Sequence, residues 1–233
     1  MKIQSIPAFS DNYIWWIELE KGRILIDPGA SEPVFQALEG QEKKQTIILL
    51  THCHQDHIGG VKALKAKLPN VLCYGPSETD SLNDVDVKGG EEICLFGEKI
   101  DVLASPGHTE AGVSYQIENA LFPGDALFKA GCGRVFTGDY RAQYDTLKIF
   151  KDLDDEVEVY PGHEYSLDNL VFAKHLFPDN LAIDEELEVT KDLRENGKNT
   201  LPTTIGLERK INPFFLARNF QEFKEFRKKK DSF

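Results

Sequence analysis

Nothing in the 233 residues approaches the ~20 consecutive apolar positions that a bilayer-spanning helix requires, so no membrane partner is expected. The N-terminal stretch MKIQSIPAFSDNYIWWIELEKG lacks a basic start, an apolar run and a small-residue cleavage site, and no secretory signal is expected. Cysteine is sparse. Cys53, Cys73, Cys94 and Cys132 form no C-x-x-C pair and lack the density of a disulfide-stapled scaffold. Free thiols in a reducing cytoplasm are therefore the expectation. An excess of basic charge is also missing: 27 Lys and Arg against 39 Asp and Glu leave a formal charge of -12. That balance argues against nonspecific nucleic-acid binding, which depends on cations neutralising phosphates. Histidine is scarce, with six in the chain.

What is present is ordinary globular composition, 41% hydrophobic and 28% charged, in a length that suits one large domain or one domain with an appendage. The first half reads as short apolar, β-branched runs bounded by Gly, Pro, Asp or Asn. Strands are expected at Asn12–Ile17, Arg23–Ile26, Gln45–Leu50, Val71–Tyr74, Ile100–Ala104, Val113–Ile117, Ala120–Phe122 and Val157–Tyr160. Helical composition falls at Pro33–Leu38, Gly60–Lys67 and around Tyr144–Leu153. Strands interleaved with helices predict a layered α/β architecture. Past residue 164 the character turns helical, at Leu167–Phe177, Ile183–Glu195 and Asn219–Lys229. Phe220, Phe223 and Phe226 lie on one face of the last of these, and Asn219 with Glu222 resembles a capping box. Two domains are expected, 1–164 and 165–233. Residues 218–233 carry six basic side chains against three acidic ones, a local reversal of the overall charge.

Three of the six histidines fall in His52-Cys53-His54-Gln55-Asp56-His57, after the apolar run Thr46–Leu50 and before a helix. Such a loop at a strand's carboxyl end is a usual place for a site in α/β folds. His52 and His54, two apart, project the same way if the chain stays extended, and Asp56 and His57 sit where it turns into the helix. Three more loops share one format: a strand, then Pro-Gly, then a metal-ligating residue type. They are Pro106-Gly107-His108, Pro123-Gly124-Asp125 and Pro161-Gly162-His163. An isolated histidine is more often a hydrogen-bonded structural residue, and His175, outside this pattern, is read that way. Five imidazoles and two carboxylates without a thiolate suit zinc, iron or manganese. Two ions ~3.5–4 Å apart call for a bridging anion. Asp125 is the expected bridge, with His52, His54 and His108 on one ion and Asp56, His57 and His163 on the other.

This pattern resembles the metallo-β-lactamase-like hydrolases, whose T-H-x-H-x-D-H signature matches Thr51 through His57. The resemblance implies a four-layer αββα sandwich. A narrower likeness, to the glyoxalase II enzymes (hydroxyacylglutathione hydrolases), runs along almost the whole chain. It includes Ser10-Asp11-Asn12-Tyr13, Ala130-Gly131-Cys132-Gly133-Arg134, Gly162-His163-Glu164-Tyr165 with Asn169, and Ile211-Asn212-Pro213-Phe214. That likeness implies a small helical C-terminal domain that helps bind glutathione, with contacts falling on Arg134, Tyr165, Arg227 and Lys230. Phe136 stands where some members have Tyr, and Thr137-Gly138-Asp139-Tyr140 departs from the usual Glu-Gly-Thr.

The implied reaction is hydrolysis of an S-2-hydroxyacylglutathione, such as S-D-lactoylglutathione, in methylglyoxal detoxification. Two divalent ions, zinc ahead of iron or manganese, are the expected cofactors, in a cytoplasmic monomer. Asp56 is the expected catalytic residue, orienting the water. A thiolate leaving group, with a conjugate acid near ~8.5, needs no separate general acid, and no unassigned histidine is placed to be one. The alternatives are a glutathione persulfide dioxygenase with a single iron and a non-catalytic scaffold on the same fold.

Overall fold

The structure, a computed structural model, describes residues 1–40 and 44–233. Six strands form the first sheet: β1 (Lys2–Ala8), β2 (Asn12–Glu18), β3 (Arg23–Ile26), β4 (Thr46–Leu49), β5 (Leu72–Gly75) and β6 (Val85–Asp86), in sequential order. The helices α1 (Ser31–Leu38), α2 (Gln55–Ile58) and α3 (Val61–Lys67) interrupt them. The second sheet runs β7 (Glu92–Leu95), β8 (Glu98–Ala104), β9 (Val113–Ile117), β10 (Ala120–Phe122), β11 (Glu158–Val159) and β12 (Thr203–Thr204), again in sequential order. Between β10 and β11 lies α4 (Tyr140–Lys151). The remainder is α5 (Ser166–Leu176), α6 (Leu181–Glu195), α7 (Ile205–Ile211), α8 (Pro213–Leu216) and α9 (Phe220–Asp231).

Apolar residues on both faces of the strands dictate the layering. Trp15, Ile17, Ile24, Ile26, Ile47 and Leu49 of the first sheet pack on Ile100, Val102, Tyr115, Ile117 and Phe122 of the second. The opposite faces need cover as well. Ile14, Trp16, Leu25 and Ile48 pack on Val34 and Leu38 of α1 and Val61 and Leu64 of α3. Leu121 and Val159 pack on Leu147 and Phe150 of α4, and on Phe172, Phe214 and Phe223 of the C-terminal helices. This is the expected αββα sandwich with helices added at its end. The core crosses residue 164 without a gap: Phe223 is fully buried in the same cluster as Leu121, and β12 pairs with β11.

The regular strands match their expected spans within a residue or two, and β1, β6, β7 and β12 go beyond the expectation. β1 pairs with β2 through all seven of its residues but exposes much of its surface and contains Pro7, so it lacks an apolar signature. Asn219 caps α9, accepting from the Glu222 backbone N–H at 3.0 Å. The reciprocal arm differs from a capping box, because Glu222 accepts from the Arg218 N–H at 2.6 Å and pairs with its guanidinium.

Strand direction places the loops. β3, β4 and β5 are parallel, and β8, β10 and β11 run one way because β9 is antiparallel to both β8 and β10. The carboxyl ends of β8, β10 and β11 therefore emerge on one edge. The two sheets are tied there by Tyr13 N–H to Gly162 O at 2.8 Å and Glu164 N–H to Asp11 O at 2.8 Å.

A candidate metal centre at the edge of the sandwich

The seven expected ligands converge. His52, His54, His108 and Asp125 bring one donor atom each within 4.8 Å of one another, and so do Asp56, His57 and His163. His54 ends the extended run from β4 as the N-cap of α2, and Asp56 and His57 lie in its single turn. His108, Asp125 and His163 each follow a Pro-Gly pair at the ends of β8, β10 and β11. At Gly162 the chain passes close against two of the ligands: a Cβ there would sit 2.6 Å from His57 Cε1 and 2.9 Å from Asp125 Oδ1. Gly107, at φ 133°, occupies backbone space that a side chain would resist.

The imidazole tautomers follow from the outer partners. His57 Nδ1 donates to Asp27 Oδ2 at 2.9 Å, His163 Nδ1 to Asp11 Oδ1 at 2.9 Å, and His108 Nδ1 to the Arg134 carbonyl at 2.8 Å. Thr51 gives its hydroxyl proton to Asp27 Oδ2 at 2.6 Å, so it accepts from His52 Nδ1 at 2.9 Å. Each of these four rings therefore turns a bare Nε2 inward. His52 and His108 Nε2 face His54 Nδ1 at 3.1 and 3.0 Å, and His57 and His163 Nε2 face each other at 3.3 Å. Lone pairs aimed at one another at such distances repel unless a cation or proton lies between them. Asp125 spans the two groups: Oδ1 is 3.3 Å from His57 Nε2, and Oδ2 is 3.5 Å from His108 Nε2 and 3.4 Å from His163 Nε2. Its buried Oδ1 has no hydrogen-bond partner among the described residues. The donor set fits divalent metal.

Without metal, protons take up this tension. Burial pulls the His57 imidazolium down, but Asp125 and Asp27 outweigh it and hold it well above the ordinary histidine range. Burial acts the same way on His163, and Asp125 and Asp56 lift it to about 10. His52, buried and beside the charged His57, is held well below the ordinary range. Burial raises Asp125 less than His57 and His163 lower it, so it stays ionised. Asp56 is lowered by its contact with His163, against its partial burial, and Asn12 Nδ2 donates to its Oδ2 at 3.0 Å.

A cavity of about 430 Å³ opens onto these groups, lined among others by Phe128, Arg134, Phe136 and Tyr165. The Tyr165 ring stacks on His163 with centroids 4.6 Å apart, and Phe136 stands edge-on to His54 and His108. Arg134 Nε donates to Asp231 Oδ1 at 3.2 Å. Arg227 does not line this cavity. It is 5% exposed, donates to the Cys132 carbonyl at 2.5 Å and to Asp231 at 3.1 Å, and lies over the Phe214 ring. Lys230 lines a separate hollow with Asp168, Val171 and Phe233 and donates to the Asp168 carbonyl at 3.1 Å. The departing stretch after Phe136 has a local role: Thr137 donates to the Gly107 carbonyl at 2.7 Å, and Asp139 caps α4 through the Ala142 N–H.

Asp27 is the functional residue that the sequence reading passed over. It carries His57 and both polar groups of Thr51, and sits at φ 51°. A signal was present, since β3 runs into Asp27-Pro28-Gly29, a fourth strand followed by Pro-Gly. Asp11, which orients His163, lies in the Ser10-Asp11-Asn12-Tyr13 motif of the family resemblance, where residue type alone does not announce that role.

Residues 9–163 match the profile of the metallo-beta-lactamase superfamily, and residues 164–233 match the hydroxyacylglutathione hydrolase C-terminus. The chain is 46% identical to the hydroxyacylglutathione hydrolase of Glaesserella parasuis serovar 5 and 44% identical to that of Haemophilus ducreyi. Each alignment covers 100% of both chains. Among solved structures, ETHE1 from Myxococcus xanthus is 27% identical, with a TM-score of 0.76 over 98% of this chain and 90% of that one. BLEG-1 B3 metallo-beta-lactamase, 21% identical with a TM-score of 0.68 over 92% of this chain and 99% of that one, shares the fold. No helix among the described residues is long and apolar enough to cross a membrane. The donor set on this sandwich supports divalent-metal binding, and the chain belongs to the hydroxyacylglutathione hydrolases of the metallo-beta-lactamase superfamily.

Proposed function

We propose that the chain is a thioesterase that hydrolyses S-2-hydroxyacylglutathione, with S-D-lactoylglutathione as the type substrate, to a 2-hydroxy acid and glutathione. The observation that carries this reading is the pair of inward-facing donor groups sharing Asp125, beside a cavity that Arg134 and Tyr165 line. His52, His54 and His108 would hold one divalent ion and Asp56, His57 and His163 the other, with Asp125 common to both. Zinc suits five imidazoles and two carboxylates best, and iron or manganese fit the same set. Bound there, two such ions supply hydroxide near neutral pH and polarise a carbonyl.

The chain's own residues do the rest. Asp11, Asp27, Thr51 and the Arg134 carbonyl keep the imidazole protons on the outer nitrogens. Asn12 fixes the Asp56 carboxylate, which stays ionised and can orient the attacking water by accepting a hydrogen bond from it. Phe128, Phe136 and Tyr165 wall the cavity and limit water around the thioester. Glutathione carries two carboxylates, and Arg134 at the rim is a cation for one of them. Its guanidinium is paired with Asp231 and lies over the Phe136 ring, 5.9 Å from the centroid. The thiolate departs without an acid.

The buried Arg227 and the offset Lys230 support a different role for the basic end than direct contact by both. Arg227 holds the Cys132 carbonyl behind Arg134, and Lys230 remains a candidate for a second carboxylate reached from the rim. The helices after residue 164 would form the substrate-binding part. Four free cysteines and a reaction that consumes a glutathione thioester fit a cytoplasmic setting, in methylglyoxal detoxification, with the chain acting as a monomer. Release of free thiol from S-D-lactoylglutathione by the metal-loaded protein tests the reading. No release, with oxygen uptake on a glutathione persulfide instead, refutes it.

A further inference from the structure

Asn212 sits in a motif of the family resemblance yet touches none of the seven candidate ligands. It is fully buried at the turn between α7 and α8. Its Nδ2 donates to the carbonyls of Gly131 at 3.0 Å and Phe128 at 3.3 Å, and to Glu208 Oε2 at 2.8 Å. Glu208, also fully buried, accepts from the Ala130 N–H at 2.8 Å and the Thr203 hydroxyl at 2.7 Å. Asn169 of α5 donates to the Lys129 carbonyl at 3.1 Å, and Arg227 of α9 to the Cys132 carbonyl. Five successive residues, 128 to 132, thus have a backbone group held by a side chain from beyond residue 164. Ala130 is kept at φ 53°, a conformation that non-glycine residues adopt only where surrounding contacts over-determine it.

The held segment leads directly into the metal centre. Gly133 N–H donates to the Asp125 carbonyl at 3.0 Å, and the Arg134 carbonyl accepts from His108 Nδ1 at 2.8 Å. We propose that Asn212 and Glu208 are positioning residues for the metal centre, acting through segment 128–134 on Asp125 and on the tautomer of His108. If the segment slips, the Arg134 carbonyl leaves His108 Nδ1. The ring can then carry its proton on Nε2, where no ion can be held. The C-terminal helices would thus serve the chemistry as well as the substrate. This inference rests on the metal-dependent reading above.

The test uses metal-free full-length protein and zinc, with affinity read by chelator competition and fold stability by thermal unfolding. Loss of an outer partner of a metal-bound histidine costs ~10–100-fold in metal affinity, and Asn212→Ala is expected to fall in that range. Glu208→Ala, which frees the Ala130 N–H and the Asn212 amide, is expected to lose zinc affinity in the same direction, and Glu208→Gln, which still offers an oxygen to both, to recover it. Asn169→Ala, which removes only the Lys129 contact, is expected to lose less, and carries the test if Asn212→Ala does not fold. Val34→Ala, in α1 where it packs on the far face of the first sheet, is expected to lower stability without changing affinity. Unchanged zinc affinity in both Asn212→Ala and Asn169→Ala overturns the proposal, as does an equal loss in Val34→Ala. A wild-type protein that binds zinc tightly but releases no thiol refutes the thioesterase reading and leaves this one standing.

Discussion

Replacing Asp27 by Asn changes one atom and sets a defined conflict. Asp27 accepts three hydrogen bonds: Thr51 N–H on Oδ1 at 2.7 Å, and the Thr51 hydroxyl and His57 Nδ1–H on Oδ2 at 2.6 and 2.9 Å. All of these groups are buried. An amide in either orientation places its NH₂ against at least one donor. If the NH₂ faces Thr51 N–H, that buried donor is lost. If it faces His57, the ring must accept on Nδ1 and carry its proton on Nε2, the atom aimed at Asp125 and His163. A hydrogen bond to a charged group contributes ~1.5–3 kcal/mol, so the variant should unfold more easily by about that amount. An outer-partner loss at a metal-bound histidine lowers affinity ~10–100-fold, equivalent to about 1.4–2.8 kcal/mol. Chelator competition and thermal unfolding, each with and without zinc, separate the two effects, because zinc should stabilise the variant less than the wild type. Equal stabilisation of both by zinc would refute the claim that Asp27 sets the His57 tautomer.

Asp56→Ala should abolish most turnover, measured as thiol release, and should lower metal content at the position shared with His57 and His163. Glu208 is pushed up to about 7 by burial, against the donors that hold it. Its contribution to stability is therefore complete below about 4.5 and lost as pH rises through 7, a change of about 3 kcal/mol. Glu208→Gln should flatten that slope in urea unfolding at pH 5 and pH 8, and an unchanged slope refutes the assignment. Arg134→Ala should raise KM for glutathione thioesters with a smaller effect on kcat. Asp231→Asn, which loosens the hold on Arg134, should change KM without changing metal content. Phe223→Ala should cost ~3–5 kcal/mol in unfolding free energy, because α9 is part of the core; for that reason, removal of residues 219–233 should unfold the chain rather than merely weaken substrate binding.

The ligands were legible because their chemistry is written in residue type and spacing. Three histidines in six positions and three strand–Pro-Gly–ligand loops leave little room for other readings, and the buried runs from Arg23 to Phe122 announce their strands. Edge strands such as β1 escape because exposed positions on both faces break the apolar alternation, and pairing with β2 supplies the stability. Asp27 and the Asn212–Glu208 pair escape for a different reason: each acts by meeting a partner distant in the chain, and a lone Asp or Asn before proline reads first as a turn. Arg227 shows the limit of charge counting. Six basic residues near the terminus predict a cationic surface, but composition does not say that Arg227 points inward to the Cys132 carbonyl while its neighbours Lys228 and Lys229 face outward. The αββα order, by contrast, follows from strands apolar on both faces, which must be covered on each side.

Metal counting joined to thiol release on the same preparation tests the central claim most directly. Two divalent ions per chain are expected, with release of one free thiol for each S-D-lactoylglutathione consumed, and with both ions and activity lost on chelation and restored by zinc. One ion per chain with oxygen uptake on a persulfide and no thiol release would contradict it.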